Sequence, residues 1–328
     1  MRQGLHDLVA LLRCGRLATG LPGAVIFARR MLGPLTRAYE DVVAPIVERT
    51  ISDLDERVQV DCALRAMSAK IGLAMLSYAR LTGCEQRVEV AALAGAVTRL
   101  YDDLIDGVAQ PSLGERLSDI FNARPFRAYS DLECLLFELV GAIRQRVRPL
   151  PGGTVDIALN ALHEYQCMSR LQRDEEVPLA VLEKVCQGKG AMANLTLCCL
   201  IKPGIKGIER ELVMALGETL QKLDDYMDVQ YDNRNGVVTL VSLGVVTLRD
   251  IALRMCVHRD GLVAQYGRPA ARPYCGIIFF LLLKSAVGRR LPTIGRMVGR
   301  LAEWSSTLAF LTRGPDAVTA TRSHWEEP

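Results

Sequence analysis

Apolar residues recur at three- and four-residue intervals along most of the chain, which is the spacing of one face of an α-helix. Glycine and proline interrupt this pattern at Gly83, at "RPLPGG" (148–153) and at "KPGIKG" (202–207). No alternation of apolar and polar residues persists anywhere, so the sequence predicts an all-α fold of about ten helices and no sheet. The predicted helices cover 57–83, 86–106, 128–147, 154–171, 179–201, a segment from 208 through the second acidic cluster, 246–265, 274–290 and 292–312.

The domain organisation follows from the absence of a low-complexity linker. We expect one catalytic domain over 41–315, preceded by a basic N-terminal segment (1–40) and followed by a flexible tail (316–328). The basic segment has five arginines and no acid between Asp7 and Glu40. Two interpretations stay open: the segment lies on an anionic membrane surface, or it is a helix packed on the body with its arginines in water.

Composition narrows the functional class. Half of the residues are hydrophobic and the net charge is only +3, which permits a large core and does not favour a nucleic-acid partner. The ten cysteines show no metal-ligand spacing and are typical of small buried residues in a reducing compartment. No apolar run reaches the roughly 18 residues of a membrane span. We therefore expect a cytoplasmic protein, with peripheral membrane contact and a homodimer as open possibilities.

Two acidic clusters stand out because each lies among apolar, helix-forming residues: "LYDDLIDG" (100–107) and "LQKLDDYMDVQYD" (220–232). On a helix, Asp102 and Asp106 share one face, with Asp103 beside them. The second cluster forms a stripe of Asp224, Asp228 and Asp232, flanked by Asp225. Like charges one turn apart destabilise a helix, so two such stripes favour a bound cation.

Magnesium is the cation that suits these ligands. Mg²⁺ prefers carboxylate oxygens, keeps several waters and is often completed by substrate phosphates. Two helices that present carboxylates across a cavity can therefore clamp a diphosphate through Mg²⁺ and stabilise it as a leaving group. Ionisation of an allylic diphosphate would then leave a carbocation in an apolar pocket.

These motifs resemble those of the class I isoprenoid synthases. "LYDDLID" resembles the first aspartate-rich motif, "LQKLDDYMDVQYD" is similar to the second, and "QGKGAMANLTLCCL" (187–200) is similar to the helix that carries a lysine near the diphosphate. The resemblance implies a helical bundle around a central cavity, a prenyl diphosphate substrate and a cluster of three Mg²⁺ ions, for which Mn²⁺ can substitute.

Two branches of this superfamily compete. The "QxxDDxxD" form of the second motif is shared with trans-prenyl diphosphate synthases, whereas the resemblance to the bacterial large-terpene synthases (the tetraprenyl-β-curcumene synthase-like group) also takes in 51–70 and 220–244. Chain-elongating enzymes carry basic pairs around the first motif, where this chain has "SAKIG" (68–72) and "DGVAQPS" (106–112). The sequence therefore favours a terpene synthase. A prenyltransferase and a non-catalytic isoprenoid-binding protein of the same fold remain alternatives.

The site prediction assigns catalysis to Asp102, Asp103, Asp106, Asp224 and Asp228, and metal binding to these five together with Asp225 and Asp232. Diphosphate binding is assigned to Lys189, Lys222 and Arg234, with a solvated lysine or an exposed ion pair as the alternative. Tyr101 and Tyr226 are expected to line the cavity, with packing in the core as the alternative. His163 is given no role.

Overall fold

The structure, a computed structural model, describes residues 14–107, 112–147, 153–174 and 176–290. Over these residues it is helical and contains no strand, so the predicted all-α class is confirmed. The α-helices are α1 (Gly15–Ala18), α2 (Leu21–Val42), α3 (Ala44–Thr50), α4 (Leu54–Thr82), α5 (Val88–Asp106), α6 (Leu113–Phe121), α7 (Asp131–Arg146), α8 (Thr154–Met168), α9 (Leu179–Ile201), α10 (Gly207–Arg234), α11 (Leu248–Tyr266) and α12 (Arg268–Arg290). A 3₁₀ helix, Ser169–Arg173, continues α8.

The helix bounds agree closely with the predicted ones within the described residues. Gly83 ends α4 in the left-handed conformation, with φ 71°, which glycine adopts without a steric penalty. The helix predicted from residue 274 instead begins at Arg268, because Pro269 lies in its first turn, where proline is tolerated. The helix predicted over 292–312 and the tail 316–328 lie outside the described residues.

The described part of the basic segment is helical and joins the main core. Helix α2 runs through the expected boundary at residue 40, and it buries Phe27, Met31 and Leu35. Arg29 and Arg30 on the same helix are exposed, as a packed helix with solvated arginines requires. Contact with a membrane surface stays a prediction. None of the described helices is both long and apolar enough to cross a membrane.

Two close helix crossings set the geometry around the acidic clusters. Helices α4 and α5 approach at Gly95, where an added Cβ would lie 2.4 Å from the Cα of Ser68. Helices α9 and α10 approach at Gly190 and Gly217, where an added Cβ on Gly190 would lie 2.5 Å from the Gly217 carbonyl oxygen. Because neither crossing has room for a side chain, small residues fix which faces of α5 and α10 meet their neighbours.

A buried carboxylate fastens the start of α10. Glu209 accepts hydrogen bonds from the hydroxyl groups of Tyr78 (2.8 Å) and Tyr266 (2.7 Å) and from Lys202 Nζ (2.6 Å). Burial alone would raise the pKa of Glu209, but these three donors outweigh it and the pKa is lowered. The network ties α4, α10, α11 and the residue after α9 together, so the second acidic helix is held at its N-terminal end.

Candidate active site

The first acidic cluster forms the C-terminal end of α5, and two of its carboxylates have identified partners. Gln166 Nε2 on α8 is 3.4 Å from Asp102 Oδ1, within donating range. Arg99 Nε donates to Asp103 Oδ2 at 2.8 Å, one turn away on the same helix. Asp106 is the last residue of α5, and its side chain lies outside the described part. Neighbouring side chains therefore orient Asp102 and Asp103 before any metal binds.

Tyr101 supports this cluster from behind. It is buried, and its hydroxyl group lies 2.8 Å from His163 Nδ1, while His163 Nε2 lies 2.9 Å from the Gly114 carbonyl oxygen. Since a carbonyl oxygen only accepts, Nε2 carries the proton and Nδ1 accepts from Tyr101. Burial lowers the pKa of His163 and so favours this neutral form. His163, which was given no role from the sequence, therefore joins α8 to α5 and to the start of α6.

The second acidic cluster, on α10, carries concentrated negative charge. Gln221 Nε2 donates to Asp225 Oδ1 at 2.8 Å. Burial, reinforced by the charge of Asp224, raises the pKa of Asp225 to about 6 in spite of that hydrogen bond. Burial, together with the charges of Asp225, Asp228 and Asp224, raises the pKa of Asp232 to about 7. The predicted acidic stripe is thus present as one electrostatically coupled group.

Lys189 is the cation that acts on this stripe from the neighbouring helix. It is half-buried on α9, and its charge lowers the pKa of both Asp225 and Asp232. The glycines on either side of it explain its position. An added Cβ on Gly188 would lie 2.2 Å from the Tyr165 ring, and Gly190 forms the crossing with α10. The "GKG" sequence therefore lets α9 fit closely between α8 and α10, with Lys189 at the centre.

A continuous series of contacts joins the two acidic helices. Asp102 on α5 meets Gln166 on α8, and the adjacent Tyr165 packs on Gly188 of α9. The next residue of α9, Lys189, acts electrostatically on Asp225 of α10. Residues predicted on three separate stretches of sequence are therefore brought into one connected region by α8 and α9.

Lys222 lies on the same helix as the stripe, and its charge also lowers the pKa of Asp225. Its side chain is 6% exposed and forms an ion pair with Glu218, which also lies 3.6 Å from Arg254 Nη1. Lys222 and Arg254 line a cavity of about 420 Å³ beside α10, whose described lining residues include Leu240 and none of the predicted aspartates. The predicted diphosphate-binding roles of Lys222 and Lys189 stay predictions. The two lysines differ in their surroundings, because Lys222 is paired with Glu218, whereas Lys189 lowers the pKa of both Asp225 and Asp232 from the neighbouring helix.

The remaining predicted residues differ in their exposure. Arg234 is the last residue of α10 and is exposed. Tyr226, on the same helix, is buried among core residues. These positions leave the predicted roles of both residues as predictions.

The carboxylates predicted to bind Mg²⁺ can be tested for their fit to that ion. Within the described residues, no three His, Cys, Asp or Glu side chains lie close enough together to hold a metal ion by themselves. The oxygens of Asp102, Asp225, Asp228 and Asp232 are nevertheless ligands that Mg²⁺ prefers. Burial and the charges of neighbouring aspartates raise the pKa of Asp225 and Asp232, and a bound cation would offset both effects. The residues therefore fit Mg²⁺ ions that complete their coordination with water and a phosphate-bearing ligand.

Sequence reasoning missed the contribution of α8. Gln166 and His163 are isolated polar residues in an ordinary amphipathic segment, and no motif marks them. A signal does exist in their spacing, because His163, Gln166 and Arg170 fall on one helical face. Gln221 belongs to the "QxxDDxxD" pattern, but only the structure shows that it donates to Asp225.

Two of the solved structures that resemble this chain in fold are the following. One, from Marinomonas sp. MED121, is provisionally assigned as a farnesyl-diphosphate synthase; it is 16% identical, with a TM-score of 0.45 over 76% of this chain and 98% of that one. The other, a geranyltransferase from Legionella pneumophila, is 13% identical, with a TM-score of 0.47 over 80% and 98%. No family model and no curated protein matches the chain. Both TM-scores lie below 0.5, so the case for a function rests on the side chains described above.

Proposed function

We propose that the protein is a Mg²⁺-dependent class I terpene synthase that ionises a linear prenyl diphosphate, giving a terpene hydrocarbon or alcohol and diphosphate. One observation carries the proposal. Two helices, α5 and α10, each bear aspartates at one-turn spacing, and α8 and α9 connect them through Gln166 and Lys189. Such paired acidic helices, with a cation between them, suit a metal-bound diphosphate.

The roles of the residues follow from their chemistry. Asp102, Asp103 and Asp106 on α5, with Asp224, Asp225, Asp228 and Asp232 on α10, would hold Mg²⁺. When bound, Mg²⁺ would neutralise the diphosphate and stabilise it as a leaving group. Lys189 would donate to a diphosphate oxygen, because it already lies near the charge of the stripe. Gln166 would keep the Asp102 carboxylate oriented.

A trans-prenyl diphosphate synthase is the second candidate. The hydrogen bond from Gln221 to Asp225 gives the "QxxDDxxD" motif a structural part in the acidic helix, and that motif is shared with this branch. Such an enzyme binds a second diphosphate, for isopentenyl diphosphate, and needs basic residues to do so. The segment "SAKIG" (68–72), where a basic pair would be expected, offers a single lysine, Lys70, and its side chain is exposed. The terpene synthase therefore remains our first choice.

The test is incubation with C10 to C25 prenyl diphosphates and Mg²⁺, with and without isopentenyl diphosphate, followed by mass spectrometry. A terpene synthase releases diphosphate and an organic product without isopentenyl diphosphate. Products longer by one isoprene unit, formed only when isopentenyl diphosphate is added, would assign the prenyltransferase instead.

The matched control is the variant Asp228→Asn assayed with the same substrates. Binding of the prenyl diphosphate without turnover by the unmodified protein, at any Mg²⁺ concentration, would identify a non-catalytic isoprenoid-binding protein. Equal turnover by Asp228→Asn and the unmodified protein would refute the assignment of the acidic stripe.

A further inference from the structure

One face of α8, continued by the 3₁₀ helix, carries two polar atoms that are buried without a partner. Gln166 is 1% exposed, and its Nε2 is directed toward Asp102 while its Oε1 is buried. Arg170, one turn further on, buries its Nη2 atom. Neither Gln166 Oε1 nor Arg170 Nη2 has a hydrogen-bond partner within the part of the chain that the structure describes.

These two atoms are energetically unfavourable in the protein alone. A buried polar group without a partner costs about 1–3 kcal/mol, and more when it is charged. Folded proteins keep few such groups. Two of them one turn apart, on the face of α8 and its 3₁₀ continuation from which Gln166 reaches Asp102, indicate that a ligand supplies their partners.

The two atoms also have complementary chemistry. Arg170 Nη2 is a charged donor and needs an acceptor, for which a phosphate oxygen gives a strong, charge-assisted hydrogen bond. Gln166 Oε1 is an acceptor and needs a donor, for which a water molecule on Mg²⁺ is suited. A hydrated magnesium diphosphate offers both groups together, whereas a free carboxylate or an apolar molecule offers at most one.

We propose that Arg170 is a further diphosphate-binding residue and that Gln166 positions the hydrated metal from the same face of α8. The inference rests on the proposed function, because it concerns the same ligand. It adds a cation on the side of α5, whereas Lys189 lies on the side of α10. The diphosphate would therefore be held by one basic residue from each of the two connecting helical segments.

The test is calorimetric titration of inorganic diphosphate, with Mg²⁺ present, into the full chain and its variants. We expect Arg170→Gln to weaken diphosphate binding about tenfold or more, and Arg170→Lys to weaken it less. The matched control is Arg173→Gln, which removes an exposed arginine of the same 3₁₀ helix and should leave the affinity unchanged. Thermal unfolding without ligand should give the same Tm, or a higher one, for Arg170→Gln.

The outcomes separate the two proposals. If the unmodified protein binds no diphosphate in the presence of Mg²⁺, the proposed function fails and this inference fails with it. If it binds diphosphate and Arg170→Gln binds equally well, only the role of Arg170 is refuted. A Tm several degrees lower for ligand-free Arg170→Gln would show a structural role and would also refute it.

Discussion

The two acidic clusters are alike in sequence and different in their surroundings. On α5, Asp102 and Asp103 have partners from Gln166 and Arg99, so their geometry is set within the protein. On α10, burial and the charges of neighbouring aspartates raise the pKa of Asp225 to about 6 and that of Asp232 to about 7. We call the two acidic clusters the two walls of the site. The comparison teaches that the α5 wall is oriented by its partners, whereas on the α10 wall Asp225 and Asp232 stay in an unfavourable electrostatic environment in spite of Gln221 and Lys189.

The largest expected effect comes from removing a carboxylate from either wall. Asp102→Ala and Asp228→Ala should each lower kcat/KM by about 100-fold or more, because metal ligands outweigh their supporting partners, which are worth 10- to 100-fold. Steady-state release of diphosphate measures this loss. Glu211→Gln, an exposed change on α10, is the control and should leave the rate unchanged. Full activity in both alanine variants would show that the two acidic clusters do not jointly bind the metal needed for turnover.

The electrostatic difference between the walls predicts a pH-dependent stability. Because the pKa of Asp232 is raised in the folded protein, the protonated carboxyl is favoured there, so its contribution to stability is present in acid and is lost as the pH rises toward and through about 7. Asp232→Asn should therefore stabilise the metal-free protein by about 1–3 kcal/mol at pH 8 and by little near pH 4. Urea unfolding at both pH values measures this.

The matched change on α5 sharpens the same comparison. Asp103→Asn removes the ion pair with Arg99, and we expect it to destabilise the metal-free protein at pH 8 by about 0–1 kcal/mol. A stabilisation equal to that of Asp232→Asn would contradict the claim that the two walls differ. Without metal at pH 8, Asp232→Asn should be more stable than the unmodified protein. Added Mg²⁺ should reverse this order of stability, because it should stabilise the unmodified protein more than Asp232→Asn.

Substitutions of the two lysines near the stripe, the half-buried Lys189 and the buried Lys222, should differ in their effect on KM. Lys189→Gln should raise KM for the prenyl diphosphate about tenfold, because Lys189 acts on the stripe from α9. Lys222→Gln should change KM little, because Lys222 is paired with Glu218 beside the cavity of about 420 Å³. Initial-rate kinetics on both variants measure the two KM values and show which lysine contributes to substrate binding. A larger effect for Lys222 would restore its predicted role as the diphosphate ligand.

The smallest effect concerns the support behind α5. Tyr101→Phe leaves the ring in place and removes the hydroxyl group that donates to His163, so it should cost about 1 kcal/mol of stability. The loss of activity should be only a few-fold. Urea unfolding and steady-state kinetics on one preparation compare the two effects. A loss of activity as large as that of Asp102→Ala would mean that the acidic cluster on α5 depends on this hydrogen bond for its geometry.

The sequence predicted most of the helices because their signals are local, but it predicted no helix over Leu113–Phe121, where Gly107, Pro111 and Gly114 suggested a break. Gly83 ended a helix where expected, and the acidic clusters lay on helices as their spacing required. Contacts across helices were beyond sequence reasoning. Nothing local distinguishes Lys189 from Lys222, since both adjoin motif residues. Only the structure shows that Lys222 is paired with Glu218 and that the crossing of α9 and α10 brings Lys189 close to the stripe. Gln166 was missed for the same reason, because its partner lies on another helix.

The glycine crossing of α9 and α10 has a mechanical consequence. The backbones of α9 and α10 come closest at Gly190 and Gly217, so any tilt of one helix against the other would have its pivot there. At 1.5 Å per residue, Asp225 lies about 12 Å from Gly217 along α10, and Asp232 about 22 Å. A tilt of α10 by about 10° at this pivot would leave Lys189 nearly in place and carry Asp232 about 4 Å. In such a tilt the far end of the stripe would move furthest, and the spacing between its carboxylates and the α5 cluster would change most at Asp232.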